Sequence, residues 1–229
     1  MTDPFLRFPR TPHLAWLADG TPRDDKVLTL AQAEDFLSHP VVIEEKIDGA
    51  NIGISFDDEG VLRIQNRGSY MEPPYVGQFD RLNAWLSPRV DSLFDFLGSR
   101  LILFGEWCAV RHSLDYSNLP DWFLGFDVYD RRAHKFVNTQ RRDELLLRAD
   151  LFCVRRIDAG VRTLAGLKRA LKSARSAYRM GAPEGFYIRI EDNDWLIARA
   201  KMVTPEFAHA LTTHWRRRSL ERNRLAVSV

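Results

Sequence analysis

Two apolar runs, Val41-Val42-Ile43 and Ile52-Gly53-Ile54-Ser55-Phe56, are separated by Glu44-Glu45-Lys46-Ile47-Asp48-Gly49-Ala50-Asn51. A chain that buries both runs must place Lys46 at the end of a strand, entering a turn that contains a glycine. A strand end holds an amine rigidly, Gly49 lets the backbone approach a phosphate closely, and Asp48 and Asn51 set polar groups beside the amine. A lysine near its ordinary pKa is almost all ammonium at neutral pH. It attacks as a nucleophile only if burial or neighbouring cations lower that pKa. The plainer alternative is an edge strand whose lysine discourages further pairing, followed by an ordinary turn.

The remaining sequence supplies a sheet and its cover. Strands are predicted over 41–46, 50–56 and 61–65, the last two joined across Asp57-Asp58-Glu59-Gly60 as a hairpin. An antiparallel sheet therefore starts here. Thr29 caps a helix that runs to about Ser38, with Leu30, Ala33 and Leu37 on its inner face, and Pro40 ends it. Helices over 78–86 and from Ser87 to near Gly98 cover the sheet. The stretch 101–110 is a nearly continuous apolar strand interrupted by Glu106, a carboxylate that is costly there without a partner. The stretch 122–129 repeats the pattern with Asp127. Helices follow over 139–149 and 163–173, then a hairpin of 184–190 and 195–201. A last helix starts at Pro205, with Phe207, Leu211 and Trp215 at four-residue spacing.

These elements give an α+β fold of antiparallel sheets flanked by helices, in one domain over 1–229. An irregular segment over 1–28 packs through Phe5, Phe8, Leu14 and Trp16, and a basic C-terminal helix covers 204–229. A length of 229 residues with 45% hydrophobic content buries a sizeable core. With 33 Lys and Arg against 31 Asp and Glu, the net charge is +2, so no global field draws nucleic acid and any basic surface is local. Arg216, Arg217, Arg218, Arg222 and Arg224 form one such stretch, read equally as a solvated helix face or a phosphate-contacting patch. Cys108 and Cys153 lie in apolar surroundings without metal spacing, as buried free thiols of a reducing cytoplasm do. The histidines lack metal-ligand spacing too. No basic leader precedes an apolar core, and no run approaches the ~20 apolar residues of a membrane span. The expectation is a soluble cytoplasmic protein without membrane contact.

Six short motifs then follow one another in order: Lys46-Ile47-Asp48-Gly49-Ala50-Asn51, Asn66-Arg67-Gly68, Phe104-Gly105-Glu106-Trp107, Phe126-Asp127-Val128-Tyr129, Glu184-Gly185-Phe186-Tyr187 and Arg199-Ala200-Lys201. Together they resemble the covalent nucleotidyltransferases, and most closely the ATP-dependent RNA ligases of the phage T4 RNA ligase 2 type. Asn51 favours RNA over DNA, because DNA ligases and capping enzymes of that superfamily usually carry Arg there. The resemblance implies the nucleotidyltransferase (ATP-grasp-like ligase) fold and a three-step reaction. Lys46 takes AMP from ATP, the AMP passes to an RNA 5′-phosphate, and a 3′-hydroxyl displaces it to seal the strands. The implied cofactors are ATP, with AMP covalently on Lys46, and Mg²⁺ or Mn²⁺. The implied partners are RNA ends or a nicked duplex.

Roles carry over from the same motifs. Lys201 and Arg199 place positive charge on the α-phosphate and depress the pKa of Lys46. Glu184, with Asp48, holds the metal. Glu106 accepts a hydrogen bond from a ribose hydroxyl, Phe126 stacks on adenine, Arg67 meets a ribose or an RNA end, and Asn51 orients ribose, phosphate or metal-bound water. Glu45 joins the nucleotide-binding set. Two features depart from the family pattern. Arg199 stands where lysine is usual, and an arginine binds phosphate with a planar fork and does not readily deprotonate. Only residues 202–229 follow the last motif, too few for the appended oligonucleotide-binding barrel of DNA ligases and capping enzymes, so a protein partner could supply the grip on RNA. The competing readings are a minimal DNA ligase, a capping enzyme, and a nucleotide- or RNA-binding module that has lost turnover.

Overall fold

The turn after Lys46 hands the chain from one antiparallel sheet to another, so the two apolar runs that flank it never pair. This corrects the expectation of one sheet starting at Val41. The computed structural model describes residues 5–22, 25–210 and 220–226, with the side chains of residues 209 and 210 left aside. In chain order its elements are α1 (Leu30–Ser38), β1 (Val41–Lys46), β2 (Ala50–Phe56), β3 (Leu62–Gln65), β4 (Tyr70–Met71), α2 (Leu82–Leu86), α3 (Val90–Leu97), β5 (Leu101–Trp107), β6 (Phe123–Asp130), β7 (Lys135–Phe136), α4 (Thr139–Arg148), β8 (Arg156–Gly160), α5 (Leu164–Ser173), β9 (Gly185–Glu191), β10 (Leu196–Val203) and α6 (Pro205–Ala210). The smaller sheet runs β10-β9-β1-β8 and the larger β4-β3-β2-β5-β6-β7, and every pairing is antiparallel. The architecture is mixed α+β, without a closed barrel among the described residues.

Each sheet is covered by the helices that its sequence neighbours form. Thr29 closes a capping box with Gln32 at the start of α1, and Thr163 caps α5 through the Gly166 amide. The inner faces of both helices, Ala33, Phe36 and Leu37 with Leu167 and Leu171, pack on Val41, Ile43, Phe186 and Ile188 of the smaller sheet. Burying each of the larger side chains contributes about 1.5–3 kcal/mol. Leu82, Trp85, Leu93 and Leu97 of α2 and α3 cover Ile52, Ile54, Leu103 and Trp107 of the larger sheet. On β5, Ile102 and Phe104 point the other way, against Phe8 of the N-terminal segment. Glu106 follows them on that face at two-residue spacing.

Several local expectations change in detail. The helix expected over 78–86 is a 3-10 turn, Gly77–Phe79, followed by α2. The helix expected from Thr139 does start there, with Asn138 as its cap accepting from the Arg141 amide. β5 ends at Trp107 rather than near Val110. The N-terminal segment adds backbone ladder: residues 12–14 bond Lys201 from both sides (Lys201 N to Pro12 O, 2.9 Å; Leu14 N to Lys201 O, 2.8 Å) and cover the edge of β10.

Residues 220–226 are extended rather than helical. They bridge to Val110 through Arg222 and to Leu119 through Leu225, which corrects a continuous helix over 204–229. Leu211, Trp215, Arg216, Arg217 and Arg218 lie outside the described residues. Cys108 and Cys153 are both free, the first buried and the second half-buried. No helix among the described residues is long and apolar enough to cross a membrane.

Candidate active site

A cavity of about 590 Å³ opens where the two sheets diverge, lined among others by Lys46, Asp48, Asn51, Arg67, Glu106, Phe126, Glu184 and Lys201. Strand register explains the gathering. Lys46 pairs with Gly185, setting Glu184 beside it, and Asn51 pairs with Glu106 across β2 and β5. Gly49 lets these strands meet: a Cβ there would sit 2.6 Å from the Trp107 carbonyl oxygen and 2.9 Å from the Glu106 Cγ. The close approach that this glycine provides is therefore to β5.

The Lys46 Nζ lies 2.8 Å from both carboxylate oxygens of Glu184. Burial pulls the Lys46 pKa down, but Glu184, Glu106 and Asp48 together outweigh it, and the amine is held above its ordinary 10.5. The balance among these residues thus holds the lysine as an ammonium, in the opposite direction to the lowered pKa expected from sequence. Glu106 and Glu184 are each pushed up to about 7 by burial, with the neighbouring carboxylates adding to the rise and Lys46 opposing it. Glu106 accepts from the Gly49 amide at 3.2 Å. Asp48 Oδ2 accepts from the Ser113 and Leu114 amides at 2.7 and 2.8 Å.

Lys201 reaches the cavity from β10, where its ammonium is bonded to the Asp25 carboxylate. Burial, and Lys46 close by, lower its pKa. Glu45 lines the cavity with its carboxylate engaged by Ser176 Oγ and the Ala177 amide. Asn51 Oδ1 is buried and has no hydrogen-bond partner among the described residues, an acceptor free to take a donor from a ligand. Arg67 projects from an exposed turn in which Asn66 Oδ1 accepts from the Gly68 and Ser69 amides.

Arg199 stands apart from these residues. It does not line the cavity; its guanidinium bonds Asp127 at 2.7 Å and packs over the rings of Phe136 (4.1 Å) and Phe8 (5.0 Å). A flat guanidinium fills that slot in a way an ammonium does not. The cavity wall also includes Phe8, Thr11, Asp25, Gln78, His112 and Tyr187, to none of which the sequence assigned a role in the site. Thr11 bonds the Tyr187 hydroxyl at 2.8 Å and His112 Nε2 meets Gln78 Oε1 at 2.7 Å. Tyr187, inside the fifth motif, carried the one available signal.

Among the described residues no three acidic, histidine or cysteine side chains form a ready metal cluster. The donors present, Glu184 with both oxygens on Lys46 and Asp48 with one oxygen on backbone amides, suit a hard cation that takes one or two carboxylates and completes its shell with phosphate and water.

A family model described as RNA ligase matches residues 39–203. No curated protein sequence matches the chain. Among solved structures, a Naegleria gruberi RNA ligase variant with ATP and manganese aligns at TM-score 0.58 and 14% identity over 90% of this chain and 63% of its own. A second variant, also with ATP and manganese, aligns at TM-score 0.60 and 17% identity over 79% of this chain and 54% of its own. The same ligase with pyrophosphate aligns at TM-score 0.58 and 17% identity over 88% and 62%. The chain thus spans less than two thirds of the length of these structures, and the likeness is one of fold.

Proposed function

The chain belongs to the RNA ligase family, and from that premise we propose that it is an ATP-dependent RNA ligase of the phage T4 RNA ligase 2 type, joining 3′-hydroxyl and 5′-phosphate ends. One observation carries the reading: two half-buried amines, Lys46 and Lys201, face a cavity that also holds two acids titrating near 7 and Asn51 Oδ1, which has no partner among the described residues. Such a site suits an anionic nucleotide and in-line displacement at phosphorus, where catalysis is chiefly positioning and charge neutralisation.

In the first step the Lys46 lone pair attacks the α-phosphorus of ATP. A P–N bond forms, the bridging P–O bond breaks, and pyrophosphate leaves with its electron pair. The amine must first lose a proton to solvent, and the charges of Glu184, Glu106 and Asp48 oppose that loss while burial favours it; engaging Glu184 and Asp48 elsewhere weakens the opposition. Lys201 balances charge on the α-phosphate when it releases Asp25. Glu106 and Asn51 accept from ribose hydroxyls, Phe126 offers its face to the base, and Arg67 meets the RNA end. Glu184 and Asp48 would hold Mg²⁺ or Mn²⁺, which when bound neutralises charge on the phosphate oxygens. Arg199 supports the site from behind through Asp127.

Incubation with α-phosphate-labelled ATP and a divalent cation should label the wild-type protein, and Lys46→Ala should lose the label and the sealing of RNA nicks. Label surviving that substitution sinks the assignment. Sealing only DNA on the 3′ side would point to a DNA ligase, and label that never moves to a 5′-phosphate RNA to a binding module.

A further inference from the structure

Glu106 holds the Gly49 end of the Lys46 turn, and residues outside the motifs hold the Asp48 end. Asp48, two residues after the lysine, is held entirely by the segment that follows β5. Its carboxylate accepts from the Ser113 and Leu114 amides, and its own amide donates to the Tyr116 hydroxyl at 2.8 Å. That segment has no place in either sheet. It is held from outside by residues 220–226.

Asn223 is the centre of this hold. It is 4% exposed. Its Oδ1 accepts from the Tyr116 amide at 2.8 Å, and its Nδ2 donates to the Cys108 carbonyl at 2.7 Å and the Val110 carbonyl at 3.3 Å. On either side the backbone continues the grip: Arg111 N donates to Glu221 O, Arg224 N to Tyr116 O, and Ala226 N to Leu119 O, at 2.7–2.8 Å. Arg222 forks onto Asp80, and Arg111 pairs with Glu221 at 2.6 Å. A relay therefore runs from Asn223 to Tyr116 to Asp48 and so to the turn that carries Lys46. Every link is buried or half-buried.

We propose that residues 221–226 act as a clamp on the lysine turn, with Asn223 and Tyr116 as positioning residues for attack by Lys46. The proposal rests on the reading of Lys46 as the nucleophile. A displacement of about 1 Å at a nucleophile costs on the order of 100-fold in rate, so loosening the relay shows in the chemical step more than in nucleotide binding. Neither residue touches nucleotide in this scheme.

The test is single-turnover formation of the lysyl adenylate at saturating ATP. Tyr116→Phe keeps the buried ring and removes only the hydroxyl. It is expected to slow the step on the order of 100-fold, with the ATP concentration for half-maximal rate changed less than about threefold and a native circular dichroism spectrum. Asn223→Ala should act in the same direction, and the double variant should be no slower than the slower single one, since both sit on one relay. A folded Tyr116→Phe protein that reacts within about twofold of wild type overturns the clamp, as does a simple multiplication of the two single effects. A measurement on the wild type stands independent of any variant. The Asp48, Ser113 and Leu114 amides should exchange hydrogen slowly, and exchange at the rate of an open chain also overturns it. Failure of the underlying reading looks different: wild-type protein that takes no label, or label retained in Lys46→Ala, while these amides stay protected.

Discussion

Two groups of buried charge meet along β1, and they are built on opposite terms. In the closed group, Glu44 bonds Arg142 at 2.6 Å, and Arg189 bonds Asp127 and Glu191 at 2.7 Å each. Arg199 adds a second bond to Asp127, and the Phe126 carbonyl accepts from Arg142 and Arg189 at 2.7 and 3.2 Å. Cations and anions alternate, so that each carboxylate has an arginine beside it; Glu44 Oε2, 3.6 Å from Arg189, is held by charge without a hydrogen bond among the described residues. In the open group, Glu106, Glu184 and Asp48 crowd around Lys46, two of the acids are pushed up to about 7, and Asn51 Oδ1 has no partner among the described residues. The first group supplies its own counter-charges and fixes geometry. The second is left incomplete toward a cavity, which is what a site awaiting a charged ligand requires.

The comparison can be broken most easily at Arg189. Arg189→Ala takes the arginine from Glu191, leaves Asp127 only Arg199 and Glu44 only Arg142, so that buried acids outnumber their cations, and should cost about 3–5 kcal/mol in urea unfolding. Glu106→Gln in the open group should cost far less, because it removes one of several repelling acids and keeps an acceptor for the Gly49 amide. Equal losses would erase the distinction. Phe126, whose carbonyl belongs to the closed group and whose ring faces the cavity, joins the two. Phe126→Ala should weaken ATP binding by about 1–3 kcal/mol, the scale of base stacking on an aromatic ring, as read by the adenylylation KM. An unchanged KM would leave Phe126 as core packing alone.

The smallest effect is a pH slope. The folded-state pKa of Glu184 is raised from 4.5 to about 7, so between those values the folded protein holds a proton that the unfolded chain has lost. Stability from this group is present at low pH and declines as pH rises through that window. His13, lowered from 6.5 to about 4 by burial first and by Lys201, contributes the opposite slope between those values. A difference measurement isolates Glu184. The stability of Glu184→Gln relative to wild type should rise with pH between 4.5 and 7. A flat difference would show that the open group is not crowded.

Local chemistry made much of the fold legible in advance. The cap at Thr29, the hairpin at Gly60 and the pairing of residues 184–190 with 195–201 are decided by neighbours in sequence. What stayed hidden depends on distant partners. Whether β1 pairs with β2 or β9 cannot be read from strand propensity, and β8, an exposed edge strand with mixed polarity, carries little signal. The same holds in the site. The motif order brought Lys46, Asp48, Asn51, Arg67, Glu106, Phe126, Glu184 and Lys201 to one cavity, yet the direction of the Lys46 shift follows from Glu184, 138 positions away. Asp25 on Lys201 lies in the segment read only as irregular, and the slot for Arg199 between Phe8 and Phe136 exists only once three segments meet.

The most direct measurement is to map the adduct. After incubation with ATP and Mg²⁺ or Mn²⁺, proteolysis and mass spectrometry should find adenylate on the peptide that contains Lys46, and no adduct in Lys46→Ala. Adenylate on Lys201 or any other residue, or an adduct that persists in Lys46→Ala, would contradict the central claim that the open group exists to deliver this one amine.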